Sequence, residues 1–162
     1  MAQTVHLFLK ANGEDVQGES TQISEGRENS IECTYFEAET NTAREVQSGL
    51  ATGRRQHQPI VIHKAIDKAT PLIAKALTKS AKIDGEFKFY RPNPSGDGTT
   101  QHFYTVKIGN GRVAGQKMVS TWTRPDDPHS APPQEEVKFV FQNIVWRFED
   151  GGVEHEDTWK DH

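Results

Sequence analysis

Residues 57–72, HQPIVIHKAIDKATPL, carry the strongest structural signal in the chain. The first half is β-branched at its centre and begins near Pro59, which a strand tolerates at its start although proline lacks an amide hydrogen. The second half ends in a pair that suits a helix start, with Thr70 as the N-cap and Pro71 at the first helical position. The stretch therefore predicts a strand followed at once by a short helix over about residues 70–79.

Alternating apolar and polar residues on both sides of this stretch have the two-residue period of half-buried strands. Gly109-Asn110-Gly111 is predicted to turn the chain between two of these strands, and the proline-rich segment 124–133 is predicted to be a loop. With residues 58–64, seven strands are expected, and a short helix of about ten residues needs such a sheet to pack against. The pattern predicts an antiparallel barrel or sandwich. The other predicted strands are Val5–Lys10, Ile31–Tyr35, Ile83–Phe89, Gln101–Ile108, Arg112–Thr123 and a long last strand from Val137 to Phe148.

Residues 40–58 interrupt this strand pattern with Asn, Thr, Gly and the pair Arg54-Arg55. The segment is too polar to pack inside and is longer than the usual connection of about 4–6 residues. We therefore predict a long polar loop here, within a single domain that spans residues 1–162.

Composition limits the classes of partner. Of the 162 residues, 33% are apolar and 26% are charged, with a formal net charge of -4. No stretch gathers Lys and Arg densely enough to neutralise a row of phosphates, so nucleic acid is not expected as a partner. Nor is there a run of about 18 apolar residues or a basic N-terminal segment followed by an apolar one. We expect a soluble chain that is made in the cytoplasm, does not insert into a membrane and, if it is secreted, leaves without a cleaved signal peptide.

No sequence pattern in the chain identifies a catalytic or ligand-binding residue. Cys33 is the only cysteine and is predicted to be a small packed side chain. His57 and His63, in one extended segment, would stand about 20 Å apart and could not share a metal ion. The glycines of residues 109–115 have the wrong spacing for a dinucleotide fingerprint, and neither a GxSxG elbow nor a P-loop is present. We expect no enzymatic activity, no cofactor and no metal site.

Several segments resemble the haemolysin-coregulated protein (Hcp) family, the inner-tube protein of bacterial type VI secretion systems. Residues 57–72 are the most specific, because they resemble that family's strand, its K-x-I-D-K-[ST]-[ST]-P-x-L turn and its helix. Ala69 stands where the family often has Ser or Thr, a small departure. The similarity covers nearly the whole chain and continues at Val16–Ser20, Phe89–Arg91, Pro133–Val137, Glu149–Gly152 and Asp157–Trp159.

The resemblance implies a β-barrel of two packed sheets with one flanking helix. It also implies that six copies close into a ring, and that rings stack into a hollow tube that is propelled out of a Gram-negative cell. The implied partners are further copies of the chain, the sheath, spike and baseplate proteins of the secretion system, and small effector proteins held in the ring lumen. In this family, an extension corresponding to residues 40–58 reaches toward neighbouring subunits.

Two other functions stay open at this point: a stand-alone binding module or carrier that does not assemble, and an enzyme whose active site is assembled only in the fold. If the ring is formed, Arg54 and Arg55 are the candidate subunit-interface residues, because arginine is enriched at interfaces. The alternative for this pair is a solvated loop tip.

Overall fold

Antiparallel strands make up most of the computed structural model, which describes residues 3–120 and 132–159. Within those residues there is one α-helix, α1 (Ala69–Thr78), and one short 3₁₀ turn, Ser24–Gly26. The strands are β1 (Thr4–Ala11), β2 (Glu14–Val16), β3 (Ile31–Cys33), β4 (Tyr35–Glu37), β5 (Thr40–Arg44), β6 (Ala51–His57), β7 (Ile60–Ala65), β8 (Ile83–Pro92), β9 (Thr100–Val119), β10 (Gln134–Val140), β11 (Asn143–Phe148) and β12 (Val153–Thr158).

The strands form two sheets around one core. The main path runs β2-β1-β8-β9-β10-β7-β4, with β11 and β12 added beside β9 and with β3 added beside β1. Buried residues from both sheets, among them Leu7, Ile62, Phe87 and Phe139, belong to one hydrophobic cluster. The predicted fold class, an antiparallel β-barrel of two packed sheets with one short flanking helix, is confirmed. The hydrogen-bonded path between the described strands is open, because it begins at β2 and ends at β4.

Strand β9 joins the two sheets, and this corrects the turn predicted at residues 109–111. Its first half lies between β8 and β11, whereas its second half pairs with β10. Asn110 alone adopts a positive φ of 50°, so the chain bends without reversing. A Cβ on Gly111 would lie 2.6 Å from the Val140 carbonyl oxygen, so the glycine is required by close packing at the bend.

The predicted last strand is also divided at this bend. β10 ends at Val140 in one sheet and β11 begins at Asn143 in the other, with the Gln142 amide donating to the Gly109 carbonyl at 3.3 Å. Because β10 and β11 both pair with β9, they must change sheets where β9 does. Strand β12 follows and was not predicted. Of the predicted proline-rich loop, only residues 132 and 133 lie within the described part of the chain.

The predicted helix is confirmed within one residue at each end, but its predicted cap is wrong. Asp67 caps the first turn, because its carboxylate accepts a hydrogen bond from the Ala69 amide at 2.9 Å. Thr70 lies inside the helix and donates its hydroxyl proton to Glu135 at 2.7 Å. Ile73 and Ala76 are buried against the sheets. Across the described residues, no helix has both the length and the apolar character that a membrane span requires.

A buried polar network fastens α1 to the sheets. Lys64 on β7 and Glu135 on β10 are 0% and 1% exposed and form an ion pair. Lys64 also donates to Asp67 at 2.8 Å, and Gln116 on β9 donates to the second Glu135 oxygen at 2.6 Å. Each charge is therefore compensated inside the protein, as a buried ion pair requires.

We predict that Lys64→Met lowers the free energy of unfolding by about 3–5 kcal/mol, because it leaves the Glu135 carboxylate buried without its cation. Urea denaturation at fixed protein concentration measures the change. Lys107→Met is the matched control, since its 3.7 Å pair with Glu86 is exposed and should cost under about 1 kcal/mol. A cost for Lys64→Met as small as that of the control would contradict the assigned role of the network.

Candidate assembly site at the projecting hairpin

Residues 40–57 form a two-stranded hairpin, called here the projecting hairpin, in place of the predicted polar loop. It continues the β4–β7 pair outward, because the Gln58 amide donates to the Glu39 carbonyl at 2.8 Å between the two pairs. Thr, Asn, Gly and Arg fill these strands, so the sequence lacks the apolar alternation that predicts a half-buried strand. Most of its side chains are exposed on both faces, and the hydrogen bonds of the ladder hold it together.

The tip of the projecting hairpin exposes two apolar side chains. Val46 is 99% exposed and Leu50 is 67% exposed. The tip backbone is nevertheless hydrogen-bonded, with the Glu45 amide donating to the Leu50 carbonyl at 2.8 Å and the Gly49 amide donating to the Glu45 carbonyl at 2.8 Å. The tip therefore presents apolar surface from a defined backbone conformation.

The base of the projecting hairpin is anchored to the end of β12 by Asp157. The Asp157 carboxylate accepts hydrogen bonds from Arg55 Nε at 2.5 Å and from His57 Nε2 at 2.7 Å. Arg55 also donates to the Thr158 carbonyl at 2.6 Å. The His57 ring packs near Phe141, Trp146 and Trp159, so aromatic side chains contact one side of the polar anchor.

Electrostatics favour the charged form of this anchor. The hydrogen bond from Arg55, aided by the one from His57, lowers the pKa of Asp157 from 3.8 to about 2. Its side chain is only 14% exposed, so the anchor is partly shielded from solvent. Near neutral pH, the carboxylate is fully ionised and both donors are engaged.

The structure separates the two candidate interface arginines. Arg55 points to β12 and is half-buried in the anchor, whereas Arg54 is exposed. Neither position tests an interface role, which stays a prediction for both. Sequence analysis missed Asp157 as the partner of Arg55, because the two residues are 102 positions apart and no local pattern links them.

The edges of the projecting hairpin are open. Among the described residues, β5 pairs only with β6, and β6 only with β5. An isolated two-stranded sheet is marginally stable in water, and unpaired strand edges are templates for another chain. A partner surface that covers this hairpin would therefore stabilise it.

No candidate metal cluster competes with this interpretation in the part of the chain that the structure describes. Groups of three or more His, Cys, Asp or Glu side chains suited to a metal ion are absent there. His57 is engaged by Asp157, and His63 stacks on Tyr35 at 4.5 Å on the outer face of its sheet. Cys33 is buried as predicted, and burial raises its thiol pKa to about 12, so the thiolate is not available.

Comparison with known proteins identifies the family. The family model described as "Type VI secretion system effector, Hcp" matches residues 8–148. The chain belongs to the Hcp family. A curated Hcp-family relative, the "Major exported protein" of Pseudomonas aeruginosa, is 34% identical over 149 residues, which is 91% of this chain and 84% of the relative.

Solved structures of the Hcp family support the same fold. The Hcp1 protein of the E. coli EAEC 042 pathovar matches with a TM-score of 0.81 and 29% identity, over 98% of this chain and 99% of that one. The secreted protein Hcp3 of Pseudomonas aeruginosa matches with a TM-score of 0.73 and 22% identity, over 98% and 99% of the two chains, and supports the fold alone. The resemblance stated from residues 57–72 and the other motifs is thereby confirmed.

We predict that Asp157→Asn loosens the projecting hairpin while the core stays folded. Amide exchange at Glu45 and Gln58 should quicken about tenfold or more, because two hydrogen bonds to a charged acceptor are weakened, while Phe87 in β8 keeps its protection. Glu154→Gln is the matched control, since Glu154 lies on the same strand and its pair with Arg147 is exposed. Unchanged exchange at Glu45 and Gln58 in Asp157→Asn would show that the anchor does not hold the hairpin.

The anchor should also respond to acid. Because the folded pKa of Asp157, about 2, lies below its ordinary value of 3.8, its contribution to stability is complete above about pH 4 and is lost as the pH falls through about 2. In NMR spectra, the Arg55 Nε signal should move with a midpoint near pH 2. A midpoint near 4 would mean that the carboxylate is not held by its two donors.

Proposed function

We propose that this chain is a protomer of the type VI secretion inner tube, in which copies close into hexameric rings and the rings stack into a hollow exported tube. The observation that carries the proposal is the membership of the Hcp family over residues 8–148 together with the projecting hairpin. The proposed role is structural, and the functional regions of the chain are the surfaces that contact other copies.

The projecting hairpin suits contact between copies of the chain. A ring closes through heterologous contacts, in which one surface of a subunit meets a different surface of the next. The hairpin offers two open strand edges, the exposed Arg54 and the apolar tip of Val46 and Leu50. A neighbouring copy would pair or cover those edges and bury the tip, which no apolar side chain among residues 3–120 and 132–159 takes out of solvent.

Export and partners follow from the same proposal. A curated relative is named a major exported protein. We expect this chain to be exported from a Gram-negative cell without a cleaved signal peptide, and to contact the sheath, spike and baseplate proteins of the system. Carriage of small effector proteins in the ring lumen stays a prediction. A pull-down from a secreting strain tests it, and the absence of any co-purified small protein would count against it.

The alternative is a stand-alone carrier or binding module that never assembles. Native mass spectrometry separates the two proposals directly. The tube protomer predicts hexamers, whereas a carrier stays a monomer at tens of micromolar.

We predict that changing Arg54 and Arg55 together to Ala weakens assembly without unfolding the two sheets. Val46→Asp with Leu50→Asp should weaken assembly about tenfold or more, because two charged side chains would replace two apolar ones in the contact. Ile23→Asp is the matched control, since Ile23 is 69% exposed but lies outside the hairpin. If both hairpin variants form hexamers of unchanged stability, the hairpin does not contribute to the subunit interface.

A further inference from the structure

Segment 17–30 covers the outer face of β1 and β8 and creates a second group of buried polar side chains. Beneath it, His6 on β1 is 0% exposed and Arg27 is 3% exposed. The Arg27 guanidinium lies over the Tyr90 ring at 4.7 Å from its centroid. None of these residues takes part in the buried network of α1 or in the projecting hairpin.

Arg27 carries a buried charge without an ion-pair partner among residues 3–120 and 132–159. Its Nε donates to the Ser24 carbonyl at 2.9 Å and its Nη2 donates to the Ser24 hydroxyl at 2.5 Å. Both acceptors are neutral. The carboxylates of Glu25 and Glu32 lie near Tyr90 and His6, yet neither forms an ion pair with the guanidinium. A guanidinium has five donor hydrogens, so donors remain, and a buried cation without a counter-charge is costly.

Two further polar atoms in the same region have no partner within the described structure. They are Thr4 Oγ1 and His6 Nε2, both buried and both on the covered face of β1. The Ser30 hydroxyl donates to the Arg27 carbonyl at 2.7 Å, so it accepts from His6 Nδ1 at 2.9 Å. The proton of the neutral ring is therefore on Nδ1, which leaves Nε2 as an unpaired acceptor. Burial and the Arg27 charge lower the pKa of His6 to about 4, so the ring supplies no negative or positive charge at neutral pH.

A small pocket opens beside these groups. Its volume is about 200 Å³, which holds a few non-hydrogen atoms and is below the size of ordinary small-molecule sites. Its wall includes Thr4 and Arg27, and Arg27 is the buried cation without an ion-pair partner among the described residues. The Thr4 hydroxyl oxygen has almost no accessible surface, so it is not available to a molecule in the pocket. Tyr90 completes that side, and its hydroxyl donates a long hydrogen bond to the Glu25 carbonyl at 3.4 Å.

From this arrangement, we propose that the pocket between β1, β8 and segment 17–30 binds a small oxyanion, a carboxylate or a phosphate, through the Arg27 guanidinium. An oxyanion supplies the missing counter-charge and accepts hydrogen bonds from the planar fork of the guanidinium. Bound there, it would tie segment 17–30 to the strands beneath.

Thermal unfolding in inorganic phosphate and in acetate, each compared with chloride at equal ionic strength and pH, tests the site. We expect a saturable rise in Tm of about 3–6 °C at ten times the dissociation constant. Arg27→Gln should abolish the saturable rise, because it removes the cation that pairs with the anion. Arg112→Gln is the matched control, because Arg112 is exposed on β9 and lies outside both the pocket and the projecting hairpin, so the rise should be unchanged.

Three results would overturn the proposal. They are a rise in Tm that does not saturate, a rise of equal size in Arg27→Gln, and no rise in the wild type. If Arg27→Gln fails to fold, the wild-type Arg27 Nε signal in NMR decides, since it must shift saturably with phosphate or acetate. If no free anion binds but Arg27→Gln disrupts hexamers, the counter-charge comes from a neighbouring copy and the free-anion site is rejected.

Discussion

The bend of β9 at Asn110 is the constraint on which the rest of the structure depends. One 20-residue strand is shared by both sheets, so each sheet is positioned by the same backbone. On one side, β9 holds β10 and through it β7, from which the projecting hairpin continues. On the other side, it holds β11 and through it β12, which supplies Asp157. Both the hairpin and Asp157 are thus connected to β9, one through β10 and β7 and the other through β11 and β12. The hydrogen bond from Arg55 to Asp157 links these two branches at their outer ends.

This arrangement explains how an exposed hairpin keeps a defined direction. A two-stranded sheet with open edges has little stability of its own. Here its base is a continuation of the β4–β7 pair, and the ionised Asp157 engages Arg55 and His57 from the opposite sheet. The sheets position the hairpin, and its outer part remains available to a neighbouring copy. Pre-organisation of this kind lowers the conformational entropy lost on association.

Sequence patterns predicted those strands and helices that are determined by residues close to one another in the chain. Residues 57–72 indicated β7 and α1, because β-branched residues and a proline near a helix start act within a few positions. The same reasoning failed at Gly109–Gly111, where the glycines serve close packing at a bend and only Asn110 has a positive φ. It also failed for residues 40–58 and for β12, since polar strands lack apolar alternation. The Asp157 anchor and the pocket at Arg27 join distant parts of the chain, so only the fold brings their residues together.

We expect the projecting hairpin to reach across a boundary between copies of the chain. A cryo-electron microscopy reconstruction of the purified protein tests it most directly. We expect hollow sixfold rings in which density for Val46 and Leu50 lies against an adjacent subunit, while Arg55 remains on Asp157 of its own chain. Rings in which the hairpin tip stands alone in solvent, or single particles without a central hole at high concentration, would contradict it.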